Sequence, residues 1–197
     1  MLWMLMAAAT PPILIKNSLT LHERDYPTRM IEEGDAGVVS AHLYVGADGK
    51  VSGCKVTETS GSDALDALTC KIAAQRARFS PAHDAGGQAA AGDYYVAVAW
   101  GSGSDVAPIQ IPMQLGVKAM PAGYRQAAWA HVLFGADGKP TRCDMTISSG
   151  SVAADRAVCA AIDAQASVKP TPKSGSAEAP VATRTYIATL TTGTPSR

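Results

Sequence analysis

Apolar and polar residues alternate from Val38 to Val45. Val39, Ala41, Leu43 and Val45 make one face, and Ser40, His42 and Tyr44 make the other. A period of two with one polar face predicts a half-buried strand. Gly46-Ala47-Asp48-Gly49 comes next, and an Asp-Gly pair supplies the positive-φ positions of a tight hairpin. Val51 to Thr59 is the return strand, with Cys54 and Val56 on a common face. The pattern then changes period. Leu65, Leu68, Ile72 and Phe79 fall on one helical stripe, with Cys70, Ala73 and Ala77 along its border. Ser62 or Asp63 can cap that helix, and Asp66 in the first turn suits the positive end of its dipole. Phe79-Ser80-Pro81-Ala82 stops it, Gly86-Gly87 turns the chain, and Tyr94 to Trp100 is a third strand. Upstream, Arg29 to Glu33 is a short helix candidate, broken by Gly34 and Gly37.

The same pattern occurs a second time. His42 to Lys50 reads HLYVGADGK and His131 to Lys139 reads HVLFGADGK, 89 residues apart. The same spacing, without a gap, carries Cys54 to Cys143, Ser60-Gly61 to Ser149-Gly150, Asp66 to Asp155, Cys70 to Cys159 and Pro81 to Pro170. A repeat at fixed period outranks any single-motif reading, so the chain reads as a tandem duplication. The second unit runs through Ala127–Phe134, Thr141–Ser148, Val152–Ala166 and Thr183–Leu190. Its core is lighter: Leu65, Leu68 and Ile72 become Ala154, Ala157 and Ala161, with Val158 and Ile162 compensating in part. Residues 169–180 are rich in Pro and Ser and read as loose.

The expected fold class is therefore α+β: two tandem β-β-α-β units, each a small antiparallel sheet with one helix on a face. Residues 1–20 are a signal peptide and lead-in, 21–101 the first domain, 102–118 a linker and 119–193 the second domain. Gly101-Ser102-Gly103-Ser104-Asp105 marks the linker. Ile109 to Leu115 reads either as a lead-in strand or as an irregular connector.

Composition narrows the classes of function. Lys plus Arg and Asp plus Glu number 17 each, so the 197-residue chain is neutral. Nucleic-acid binders carry a basic patch to neutralise phosphates, and no such partner is expected. The four cysteines fall two per unit at identical spacing. One disulfide per unit, Cys54 with Cys70 and Cys143 with Cys159, would close a loop of roughly 17 residues worth about 3 kcal/mol. A zinc site is the alternative, but it wants Cys-x2-4-Cys knuckles or nearby His ligands, which this spacing lacks. Disulfides imply an oxidising compartment. Met1 to Ala9 (MLWMLMAAA) looks like the apolar region and small-residue cleavage site of an export signal, though without a basic start, so a short signal or a misassigned start is expected.

Candidate chemistry is thin. His42 and His131 hold equivalent positions on the polar strand face with no partner evident at repeat-related positions, and read as exposed structural histidines. His22 and His83 have no counterpart. Ser60 and Ser149 precede glycine but not in the strained elbow that exposes a nucleophile, so they read as turn residues. Asp48 and Asp137 are explained by hairpin turns, and Asp63 with Asp66 lacks a cleft. No metal, cofactor, small-molecule substrate or enzyme activity is expected. An exposed sheet edge remains. It can accept an extended peptide or pair with a copy of itself, and Tyr94, Tyr95, Val96, Ala97 and Val98 form the candidate edge strand.

One family matches the order of these features. The motifs are Tyr26-Pro27, Gly37-Val38-Val39, Asp48-Gly49-Lys50-Val51, Thr59-Ser60-Gly61, Leu65-Asp66, Arg78-Phe79-Ser80-Pro81-Ala82 and Trp100. Over residues 26–100 the chain resembles the TonB C-terminal domain family. The second unit resembles a degenerate copy: it keeps Asp137-Gly138, Ser149-Gly150, Asp155 and Pro170, has Val168 in place of Phe79, and lacks the Tyr-Pro entry and the closing Trp. The resemblance implies a periplasmic domain that binds a segment of an outer-membrane TonB-dependent receptor by adding a strand beside the last strand. Carried over, the binding edge is Asp93 to Val98, with Tyr26 and Pro27 nearby. Neither the inner-membrane anchor nor the Pro-rich spacer of a full transducer is evident, which implies a stand-alone TonB-like protein. The competing expectation is a structural module of the cell envelope, in which the two units pack as a pseudo-dimer and bury those edges on each other.

Overall fold

The computed structural model describes residues 10–101 and 109–192. The expected export signal, Met1 to Ala9, and most of the Gly101 to Asp105 linker lie outside the described residues. The chain divides into two units at residues 107 and 108.

In unit one a short helix α1 (Thr28–Glu32) precedes strand β1 (Gly37–Val45), strand β2 (Val51–Glu58), helix α2 (Asp63–Arg76) and strand β3 (Gly92–Trp100). The three strands form one sheet in the order β2-β1-β3, antiparallel throughout. Val39, Ala41, Leu43 and Val45 of β1 point into the core, as the alternation predicts, and meet Val96, Val98 and Trp100 of β3 and Leu65, Ile72 and Ala73 of α2. Ser40, on the opposite face, is also buried, and its Oγ donates to the buried carboxylate of Glu58 at 2.6 Å.

Helix α2 is shorter than its apolar stripe suggested. It ends at Arg76, and Ala77 already has an extended backbone. Phe79 is therefore not on the helix. It lies in a two-residue strand, Phe79–Ser80, that pairs with Ile13–Leu14. The hairpin turn holds it there: the Phe79 amide donates to the Gly49 carbonyl at 2.9 Å. Gly49 has φ +74°, and a Cβ added to it would lie 2.2 Å from the Phe79 carbonyl oxygen. Turn conformation and close approach together require glycine here. Unit two has the same joint, with Gly138 at φ +79° accepting the Val168 amide at 2.9 Å.

Unit two contains β4 (Gln110–Val117), β5 (Ala128–Phe134), β6 (Pro140–Ile147), α3 (Val152–Gln165) and β7 (Ala182–Thr192). Its sheet has the order β6-β5-β7-β4. The segment that read as lead-in strand or connector is thus a strand, and it lies parallel to β7. The small antiparallel sheet expected of each unit is complete in unit one and gains this parallel strand in unit two. The lighter core closes around Phe134, Val132, Val158, Ile162 and fully buried alanines at 128, 130 and 154. Residues 169–180 carry no helix or strand.

The Ser-Gly turn before each helix is pinned by the same first-turn aspartate. The Ser60 amide and hydroxyl each donate to Asp66 Oδ1 at 3.0 Å. The Ser149 amide donates to Asp155 Oδ1 at 2.9 Å and the Ser148 hydroxyl to Oδ2 at 2.6 Å. These serines are turn residues that dock a first-turn carboxylate. Burial opposes the charge on Asp155, but the bonds from Ser148 and Ser149 outweigh it and hold its pKa below the usual carboxylate value.

A disulfide ties helix to sheet in each unit, Cys54 to Cys70 with Cα atoms 5.6 Å apart and Cys143 to Cys159 at 5.9 Å. Among the described residues no group of His, Cys, Asp and Glu is arranged to hold a metal.

Candidate strand-binding edge of unit one

Strand β3 has the composition a strand favours: Tyr, Val and Ala alternate, ending in Trp, with no proline. Its core-side residues are Tyr94, Val96, Val98 and Trp100. Burial raises the Tyr94 pKa above the usual phenol value. Val96, Ala97 and Val98 are buried. The side chains of the predicted edge thus contribute mainly to packing. What the strand can offer a partner is backbone, because its neighbour β1 lies on one side and no strand of the described residues lies on the other.

Two anchors fix this strand. At its end, the Trp100 indole N–H donates to Thr69 Oγ1 at 2.9 Å, and Thr69 in turn donates to the Leu65 carbonyl at 2.9 Å. Tyr26 packs edge-on against Trp100, centroids 5.4 Å apart, and its hydroxyl donates to the Asp35 carbonyl. Tyr26 is thus a core residue at the closing end of β3, and Pro27 forms the N-cap of α1. Behind Tyr26, Arg76 holds Asp25 through two bonds of 2.5 and 2.6 Å. That guanidinium hydrogen bond holds the Asp25 pKa down at about 2.

At its beginning, β3 meets His42. The imidazole stacks on Tyr95 at 4.4 Å and lies within 2.9 Å of Asp93 Oδ1 through Nε2. In unit two His131 makes the equivalent contact, with Thr183. The two histidines are not exposed as expected, and each has a repeat-related partner. Asp93 and Thr183 both lie two residues before the strand partner of their histidine, since His42 pairs with Tyr95 and His131 with Thr185. His131 is half-buried, and burial pushes its pKa down to about 4, against an upward pull from Asp144 and a further downward push from Arg142.

His22 and His83 stand apart from this arrangement. His22 lines a shallow hollow of about 490 Å³ with Arg24, Arg76 and Arg78. Arg76 is engaged there with Asp25, and the Arg78 guanidinium with the carbonyls of Ala77 and Gln75. His83 sits in a small ladder with Ala89 and Thr10.

Residues 22–101 match the family model for the Gram-negative bacterial TonB protein C-terminal. Unit one is a TonB C-terminal domain. A 52-residue stretch is 46% identical to protein TonB of Haemophilus influenzae and covers 26% of this chain and 19% of that protein. The aligned region is thus a small share of the relative's length. No solved structure gives a significant match. The TonB C-terminal match opens just before Tyr26 and closes just after Trp100, so the residues that clamp the end of β3 frame it. Among the described residues no helix is long and apolar enough to cross a membrane.

The bonding direction of β3 follows from unit two. The Thr185 amide donates to the Ile109 carbonyl at 3.3 Å. In an antiparallel neighbour the two backbone groups of a residue point to the same side and alternate along the strand. Odd-numbered residues of β7 therefore face β4. Thr185 holds the place of Tyr95, so Ala97 and Ala99 direct their backbone groups away from β1.

Proposed function

We propose that unit one is a periplasmic protein-binding domain that engages an outer-membrane TonB-dependent receptor by strand addition along β3. A receptor segment would lie against Asp93 to Val98, with Tyr26 and Pro27 supporting the far end of the strand. The domain acts by binding and carries out no catalytic step. Unit two is proposed to be a second, diverged copy of the same domain.

The observation that carries this reading is the position of β3 at the side of the sheet, in a domain of the TonB C-terminal family. Main-chain bonds supply affinity in strand addition, and alternate side chains supply register. The reading in which both terminal strands bury their edges on each other loses one of them, because β4 already lies against β7.

The test is titration of the full chain with N-terminal peptides of TonB-dependent receptors, followed by amide hydrogen exchange. Binding should protect the amides of Ala97 and Ala99. Ala97→Pro removes one outward donor while leaving the β1–β3 bonds in place, and should abolish binding with the fold intact. Peptide binding that protects other residues, or that survives Ala97→Pro unchanged, would refute the assignment.

A further inference from the structure

Unit two holds a strand where, among the described residues, unit one holds none. Strand β4 runs parallel to β7 from the pair Gln110–Thr185 to the pair Val117–Thr192. Its residues alternate strictly: Gln110, Pro112, Gln114 and Gly116 are exposed, while Ile111, Met113, Leu115 and Val117 are half-buried against the unit-two core. None of the eight carries a charge. Helix α3 packs chiefly on β5 and β6, at the other side of the sheet. The fully buried core residues come from β5, α3 and β7, and none from β4.

The bonding phase of β4 points the same way. The carbonyl of Ile109 bonds Thr185, so the odd residues of β4 carry the groups that face β7. Pro112, which has no amide hydrogen, falls on the outward phase. A proline there costs no ladder bond and denies the outer side a donor, which blunts the sheet against further pairing.

We infer that β4 is a removable cap. The outer side of β7 is a second strand-acceptor surface, held closed by the chain's own segment. When β4 is withdrawn, this surface takes an extended, uncharged peptide that runs parallel to β7 with apolar residues at every second position. The inference stands on the geometry of unit two and holds whatever unit one binds.

The experiment uses the full chain. Met113→Pro removes an inward donor from the middle of β4, and Gln114→Pro removes an outward one. The probe is a synthetic peptide of residues 110–117, and the readout is amide exchange at Ile187, Thr189 and Thr191 of β7, with β5 and α3 as internal references. Met113→Pro should lose protection at those three amides while β5 and α3 keep theirs, and the peptide should restore it. Gln114→Pro should leave β7 protected. The inference is overturned if Met113→Pro leaves β7 protected, if it melts β5 and α3 as well, if the peptide restores nothing, or if Gln114→Pro opens β7 to the same degree. Because β7 reports separately from Ala97 and Ala99, failure here is distinguishable from failure of peptide capture by unit one.

Discussion

Acid should loosen unit two before unit one, and His131 is the reason. Its pKa lies at about 4 in the folded chain, against the usual imidazole value of 6.5, chiefly through burial. The unfolded chain therefore binds a proton between pH 6.5 and 4 that the folded chain refuses. Stability rises with pH wherever the unfolded state holds more protons. The contribution is complete above pH 6.5, falls as the pH drops, and is fully lost near pH 4. A gap of about 2.5 units at about 1.4 kcal/mol each gives a loss of about 3 kcal/mol. The carboxylates act in other windows. Asp25, held at about 2 by Arg76, contributes stability to unit one that is present above the usual carboxylate value and lost as pH falls towards 2. Urea unfolding of the full chain at pH 7, 5.5 and 4, followed by amide exchange in β5 and β7 against β1 and β3, measures the difference. His131→Gln cannot titrate and should flatten the response of unit two between pH 6.5 and 4. Equal losses in wild type and variant, or an imidazole midpoint near 6.5 by NMR, would refute the reasoning.

Three further outcomes are expected. Replacing Cys54 and Cys70 together with serine should cost unit one about 3 kcal/mol, from the unfolded-chain entropy of a loop of roughly 17 residues; an unchanged urea midpoint would count against a native bridge. Arg76→Ala removes the paired hydrogen bonds to an Asp25 side chain that is 9% exposed, and should cost about 1–2 kcal/mol, since the arginine itself remains partly solvated. Salt should shrink that difference only slightly. Trp100→Phe keeps most of the buried volume but leaves Thr69 Oγ1 without the indole donor, and should cost about 1 kcal/mol by chemical denaturation; a neutral result would mean that the bond does not hold the end of β3.

Much of this was written locally. Strands β1 and β3 show their inward faces in a period of two, and each hairpin announces itself through Asp-Gly. What local pattern could not show was coverage by distant chain. His42 and Ser40 lie on the polar face as read, yet Glu58, Asp93 and Tyr95 arrive there from other strands. The histidine partners were hidden by one residue. The repeat has a spacing of 89, but Asp93 and Thr183 differ by 90, so a search in the repeat's own register passes over them. Phe79 fits the helical stripe by spacing alone, and the Gly49 carbonyl draws it off the helix. Strand β4 alternates well enough to suggest a strand, but nothing near it in sequence names β7 as its neighbour, 75 residues away at the Gln110–Thr185 pair.

That separation bears on how the molecule is made. Among the described residues of unit two every pairing except that of β4 joins β5 to a strand beside it, and β5 can meet β6 as soon as both are free to fold. Strand β4 precedes them all, yet among the described residues its ladder is with β7, which follows all of them in sequence. Long-range pairing is slow because the loop must close before the contact rewards it. For the whole interval in which β5, β6 and α3 emerge, β4 is without its mate. Chain order thus makes the β4–β7 ladder the last of unit two to close.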